Sequence, residues 1–320
     1  MSDSSPASTE SLSSSAAPDN VRLGVFLALM SAVGYSGANL ALRGLVDHEA
    51  DTAWDMWVSA MKALPTLISA ACLVYLNRHR TPEHKPGPRV LPILFVAAIV
   101  MQYGGNLGFQ VALRHIGLAI SVPLVFAFII IAGAVLGAVF LGDGVSRRSI
   151  IAIIVMMTSI VLLSLAASGD ESAEGSSRVP WLGVVIAIVS GLSYGVNGVV
   201  IRGVARDQLP VERMLLVYSS VGFVSLSLIA GSQLGLDRLS EVSGQQWGMM
   251  LLAGSCNAAA FFAVCNALKV LNITQVNVFN AAQNAMCAVA AVMVFGEDSS
   301  MLMILGVVLS IVGLLVLVRR

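Results

Sequence analysis

The sequence predicts an all-α polytopic membrane protein: ten transmembrane helices arranged as two inverted five-helix repeats. Three observations carry this expectation. With 57% hydrophobic and 11% charged residues and a mean hydropathy of +0.86, the chain holds more apolar side chain than a soluble domain can bury. Its 320 residues divide into about ten apolar runs of ~20 residues, enough to cross ~30 Å of hydrocarbon at ~1.5 Å per residue. Stretches of the first half also recur in the second.

Residues 1–21 are rich in Ser, Ala and Pro and carry Asp3, Glu10 and Asp19, which predicts a disordered cytoplasmic tail. No basic stretch precedes the first apolar run and no small-residue cleavage site follows it, so the tail does not read as a secretory signal. Its acids and its lack of Arg argue against an organellar transit peptide.

Apolar runs between charged or Pro/Gly-rich breaks place the first five spans near Arg22–Gly44, Ala53–Leu76, Val90–Leu113, Ile116–Leu141 and Arg147–Ala167. An acidic linker, Ser168–Pro180, separates them from five more. These fall near Trp181–Gly203, Val211–Ser232, Gln245–Leu268, Asn272–Phe295 and Met301–Val318. The first repeat thus covers residues 22–167 and the second 181–320.

Charge sets the expected orientation. With a cytoplasmic N-terminus, thirteen Lys and Arg residues fall on the cytoplasmic side. Only Arg43, Arg114, Arg178 and Arg238 fall on the other, and Lys62 inside a span completes the 18. That bias predicts both termini in the cytoplasm.

The first and sixth spans align without gaps. Leu23-Gly24 falls on Leu182-Gly183, Ala28 on Ala187, Ser31 on Ser190, Tyr35 on Tyr194 and Arg43-Gly44 on Arg202-Gly203. Ala112-Leu113-Arg114 matches Ala267-Leu268-Lys269, and the fourth and ninth spans end in Gly142-Asp143 and Gly296-Glu297. Because each half has an odd number of spans, the second crosses the membrane in the opposite sense. Inverted repeats let one pattern build inward-open and outward-open states around a midplane site, so the sequence implies a carrier.

These residues resemble the drug/metabolite transporter superfamily, specifically its ten-helix members with two EamA-type domains, over nearly the whole chain after the tail. The likeness rests on the paired Leu-Gly openings, Lys62 in the second span, Pro123-Leu124 in the fourth, and the Gly-acid endings at Asp143 and Glu297. One departure stands out: where the fourth span has Val122-Pro123-Leu124, the ninth has Asn277-Val278-Phe279-Asn280. The resemblance implies secondary transport and leaves the substrate open.

Polar side chains at bilayer depth are costly unless they face the bundle interior or water. Gln102, Asn106 and Gln110 recur every four residues, and Thr274, Asn277, Asn280 and Asn284 at three or four, so each set marks one helix face. Ser31, Tyr35 and Asn39, and Ser190, Tyr194 and Asn197, do the same in the first and sixth spans. Repeat alignment adds Asn257 opposite Gln102. Isolated polar residues can simply cement helices by interhelical hydrogen bonds, but contiguous stripes at one depth point to a hydrated path. The expected substrate-binding set is therefore Tyr35, Asn39, Lys62, Gln102, Asn106, Gln110, Tyr194, Asn197, Asn257, Asn277, Asn280 and Asn284. Amides both donate and accept, which suits a zwitterionic or hydroxylated solute.

Lys62 is the single ionisable residue near the centre of a span. One reading has it snorkelling toward Asp55, seven residues and ~10 Å away on about the same helix face. The other has it meeting a substrate carboxylate or phosphate. The resemblance favours a structural role, because a basic residue recurs there in the family whatever the substrate. Asp143 is expected to be a solvated helix cap or a loop ion pair, and Gly133 and Gly137 to mark close packing within the bundle.

Other classes fit poorly. Cys72, Cys256, Cys265 and Cys287 show no CxxC spacing, and the four histidines sit in or beside loops, so neither a metal nor a cofactor is expected. Zero net charge gives no pull toward nucleic acid. A membrane enzyme would need catalytic groups clustered at one depth, and none are found. The expectation is a secondary transporter in a bacterial-type cytoplasmic membrane, with lipid and a small polar, amino-acid-like metabolite as partners, working by export or exchange. The alternative is a membrane receptor or structural membrane protein. The oligomeric state, monomer or homodimer, stays open.

Overall fold

The computed structural model describes residues 18–45, 51–79, 87–168, 180–206, 209–295 and 300–318. Most of the predicted tail, the bulk of the acidic linker and Glu297 lie outside the described residues. Within them all regular structure is helical. In chain order it comprises α1 (Pro18–Arg43), α2 (Thr52–Leu76), α3 (Val90–Ile99), a π-helical segment (Val100–Leu107), α4 (Gly108–Leu141), α5 (Arg147–Ser168), α6 (Pro180–Arg206), α7 (Val211–Ser240), α8 (Gly244–Val270), α9 (Ile273–Asn280), α10 (Ala282–Phe295) and α11 (Met301–Val318).

Among the described residues seven stretches are long and apolar enough to cross a membrane: Asn20–Arg43, Thr52–Leu76, Val90–Ile116, Ser121–Leu141, Trp181–Ala205, Val211–Gly235 and Gly244–Val270. Met301–Val316 is a shorter apolar helix. Large apolar side chains stand on the outside of the bundle, Phe26, Phe95 and Val139 among them. An apolar girdle of that extent is stable only against lipid or another apolar surface.

Local chemistry sets the helix ends. Asp51 is extended and accepts the Trp54 N–H at 3.1 Å, which starts α2 with a side-chain cap. Reciprocal capping boxes start α8 at Ser243 with Gln246 and α9 at Asn272 with Gln275. At the end of α4, Gly142 takes φ 64°, a left-handed position that suits glycine.

Three predicted elements differ from the structure. Helix does not end between the third and fourth spans but runs from Gly108 to Leu141, although the two remain separate apolar stretches, Val90–Ile116 and Ser121–Leu141. The ninth is not continuous, because it breaks at Ala281 into α9 and α10. The seventh continues past Ser232 to Ser240 through Gly235, whose φ of 72° and ψ of 167° make it a kink between two helical pieces. The first helix also begins at Pro18, four residues ahead of its predicted span.

The helices pair between the two halves: α1 along α8, α2 along α7, α4 along α6 and α5 along α11. Glycines permit the closest approaches. An added Cβ at Gly191 of α6 would lie 2.5 Å from the Val125 carbonyl oxygen and 2.7 Å from Phe128 Cβ. Gly133 and Gly137 both face α9, against Asn277 and Ile273 respectively, so the glycine pair packs inside the bundle as its spacing suggests.

One end of the bundle is held by a buried ion pair. Arg202 Nε donates to Asp143 Oδ2 at 2.7 Å and Nη2 to Oδ1 at 3.2 Å, a bidentate arrangement matched to the planar guanidinium. Arg202 Nη1 also donates to the Leu268 carbonyl at 2.7 Å and to that of Leu271, where α8 runs out of backbone partners. The Ile273 N–H points at Asp143 Oδ2 from 3.5 Å. Of the two expectations for Asp143, the ion pair is the one found and the solvated cap is not: both residues are buried. Arg202 is accordingly a buried residue of the bundle and not one of the solvent-facing cytoplasmic charges among which its place in the sequence puts it. Sequence spacing could not bring the ends of α4, α6, α8 and α9 together.

Two stability outcomes follow. Gly191→Ala should lower the unfolding free energy in detergent by about 1–3 kcal/mol, the usual cost of overpacking, whereas Gly248→Ala, with open space around it, should change little. Asp143→Ala should cost roughly 3–5 kcal/mol by stranding a buried guanidinium, and adding Arg202→Met to that chain should recover part of the loss. Denaturation of the four variants checks both.

Candidate functional site

Between the halves lies a cavity of about 140 Å³, many times the ~10–15 Å³ one ordered water requires. Its walls come from α1, α2, the π segment, α4, α6, α8, α9 and α10. Nine predicted residues line it: Tyr35, Asn39, Lys62, Asn106, Tyr194, Asn197, Asn257, Asn277 and Asn280. The facing apolar wall includes Phe109, Phe126 and Phe261. A smaller adjoining cavity of about 10 Å³ is lined by Gln102, Ser59, Thr66 and Ser219, and shares Lys62, Asn106 and Asn257 with the first.

A single amide joins most of the polar wall. Asn106 Oδ1 accepts from Lys62 Nζ at 2.8 Å and from the Tyr194 hydroxyl at 2.8 Å. Its Nδ2 donates to Gln102 Oε1 at 2.9 Å, and Gln102 Nε2 donates to the Tyr218 carbonyl at 2.8 Å. The Tyr218 hydroxyl in turn donates to Asn197 Oδ1 at 2.9 Å. Lys62, only 6% exposed, therefore points across the bundle and does not snorkel to Asp55. That carboxylate sits 3.1 Å from Arg114 Nη2 instead.

Two irregular helices decide which polar residues reach the cavity. In the π segment the wider turn frees backbone groups, and the Gly105 carbonyl is met by the Ser190 hydroxyl at 2.8 Å. Gly104 and Gly105, poor helix formers, also let α6 approach, with Tyr194 against Gly105. Past this segment Phe109, not Gln110, faces the cavity; Gln110 is buried elsewhere. Gln102 packs against Gly222 of α7, the one residue type that leaves it room.

At Ala281 the ladder tightens. The Ala281 N–H still bonds the Asn277 carbonyl at 2.9 Å, but the Asn284 N–H bonds Ala281 at 3.1 Å, an i to i−3 step. The tighter turn brings Gln283 onto the cavity face in place of Asn284, which is buried off the lining. Gln283 Nε2 donates to the Asn280 carbonyl at 2.9 Å, and its Oε1 accepts from Asn39 Nδ2 at 3.1 Å. Gln283 is the polar lining residue that sequence spacing missed; its signal was an i+3 position after Asn280, as good a same-face neighbour as i+4.

Matching helices use matching anchors. Ser31 donates to Asn280 Oδ1, and its aligned partner Ser190 donates to Gly105; both serines are fully buried. Asn277 Nδ2 donates to the Ile129 carbonyl at 3.2 Å. The Tyr35 hydroxyl and the Asn257 amide make no hydrogen bond to another described residue although both line the cavity. Among the described residues no group of His, Cys, Asp or Glu could hold a metal ion.

No curated protein sequence matches the chain. One solved structure, described only as the crystal structure of a protein, superposes on 92% of this chain and 97% of its own with a TM-score of 0.68 at 15% identity, which is a likeness of fold. Residues 181–319 match the EamA-like transporter family. The second half of the chain therefore carries an EamA-like domain, consistent with the drug/metabolite transporter superfamily.

Proposed function

We propose that the chain is a secondary carrier of ten spans, two inverted five-helix repeats, that moves a small polar metabolite across a cytoplasmic membrane by alternating access. The observation that carries this reading is a cavity walled by both halves, in which the aligned Tyr35 and Tyr194 face one space. Pairing of α1 with α8, and of α6 with α3 and the π segment, supports the inversion, since exchanging the first span for the sixth and the eighth for the third exchanges those contacts. The Arg202–Asp143 clasp supplies a closed end: it ties α4 of one half to α6, α8 and α9 of the other. Two of the cavity's lining residues, Ile201 and Leu268, lie next to it in the chain or in contact. Opening that end means separating these groups. Opening the other leaves them intact, which is the asymmetry a rocking carrier needs.

Export or exchange is the direction this reading favours, with both termini cytoplasmic. In a cysteine-free background, a cysteine at Ser240 should react with an impermeant thiol reagent added to intact cells and one at Gly87 should not. The opposite pattern reverses the orientation.

Saturable flux of amino and hydroxy acids into liposomes holding the purified chain tests transport itself. Product formation would point to an enzyme, and binding without flux to a receptor. Tyr35→Phe should weaken apparent affinity three- to tenfold, about one neutral hydrogen bond, with an unchanged melting temperature. Asn280→Ala should lower affinity and stability together, because the Ser31–Asn280 hydrogen bond between α1 and α9 is lost and Ser31 keeps only the Ala28 carbonyl of its own helix. Val289→Leu, 39% exposed on the outward face, should alter neither. Equal effects on both faces would move the site elsewhere.

A further inference from the structure

Lys62 is the only charged residue lining either cavity among the described residues. An ammonium group has three N–H donors, and the structure gives one of them a partner, Asn106 Oδ1 at 2.8 Å. That oxygen also accepts from Tyr194, so both its lone pairs are taken. It is a neutral acceptor and leaves the charge of Lys62 uncompensated inside an apolar bundle, where an isolated charge is costly. Two ammonium donors remain toward the cavities.

A second unspent group stands on the same part of the wall. Asn257 lines both cavities, as Lys62 does, and its amide has no hydrogen-bond partner among the described residues. Gly254, one turn earlier on α8, holds this helix against α2: an added Cβ there would lie 2.7 Å from the Lys62 carbonyl oxygen and 2.7 Å from the Pro65 ring. The apolar surface of Phe261 borders both cavities, and Phe109 and Phe126 border the larger one.

From this juxtaposition we propose that Lys62 and Asn257 form a carboxylate-binding subsite, so that the solute carried is a small monocarboxylate with an apolar remainder lying on the phenylalanines. The proposal rests on the carrier reading for its purpose and on the cavity alone for its chemistry. One lysine balances one negative charge. A phosphate monoester, at about −1.5 to −2, would leave excess charge in a cavity with no second cation among its described lining. An amine without a carboxylate would be repelled.

Matched probes test this: 4-methylpentanoate, its carboxamide, isopentylamine and isopentyl phosphate, each measured by thermal shift on the detergent-solubilised full chain and by flux in liposomes. The wild type should bind the acid at least tenfold more tightly than the amide, amine or phosphate. Lys62→Met should bring acid and amide within twofold, while Lys62→Arg keeps part of the preference. Asn257→Asp, which puts a resident carboxylate beside the lysine, should abolish the preference with Lys62 still present. It carries the test if Lys62→Met melts too low to assay. Equal binding of acid and amide by the wild type, binding of no probe, a preference for the phosphate, or a preference that survives both Lys62→Met and Asn257→Asp would each overturn the subsite. Acid-selective binding without saturable flux leaves the subsite standing and sinks the carrier reading.

Discussion

A lysine ammonium placed deep in an apolar bundle needs a polar partner, and the hydrogen bond from Lys62 to Asn106 is the constraint around which the polar interior is arranged. Holding Asn106 at that point requires its own amide nitrogen to be satisfied, which Gln102 does. Gln102 is satisfied in turn by the Tyr218 backbone, and Tyr194 of the second half shares the same oxygen. Because buried polar groups without partners cost more than each bond gains, these residues are held together as a set. The set spans both halves of the chain, so the polar core is a product of their association.

Regular helices could not present this set. An unbroken α-helix would carry Gln102, Asn106 and Gln110 along one slowly rotating stripe, and likewise Asn277, Asn280 and Asn284. The π segment in one case and the tightened turn at Ala281 in the other reset the phase, so that Phe109 and Gln283 face the cavity. Each irregularity exposes backbone carbonyls, and each is answered by a side chain: Ser190 at Gly105 and Gln283 at Asn280. Departures from α geometry of this kind gather at functional sites, and here both border the same space.

The bundle around the cavity combines close, glycine-mediated seams with a strong polar contact at one end. Gly191, Gly195 and Gly133 bring α4, α6 and α9 nearer than side chains would allow, which raises dispersion contact where lipid offers no hydrophobic drive for helix association. The Arg202–Asp143 pair adds charge-assisted bonds that also finish the last carbonyls of α8. Four helix ends converge there. The cavity is thus bounded by packing along its length and by electrostatics at that end.

Composition and periodicity were enough for the helical, lipid-facing class of the chain, for most helix positions, and for nine residues of the larger cavity among twelve named, because hydropathy and helical spacing are local properties. Tyr35, Tyr194 and Asn280 were legible on those grounds alone. What only the tertiary structure decided is the phase of the two irregular helices, the partner of Lys62, and the burial of Asp143 with Arg202. In each case the deciding atoms lie far apart in sequence, as Lys62 does from Asn106 and Asp143 from Arg202. A hydrogen bond in an apolar medium is settled by which neighbour can satisfy the group, and spacing along one helix carries no record of that neighbour.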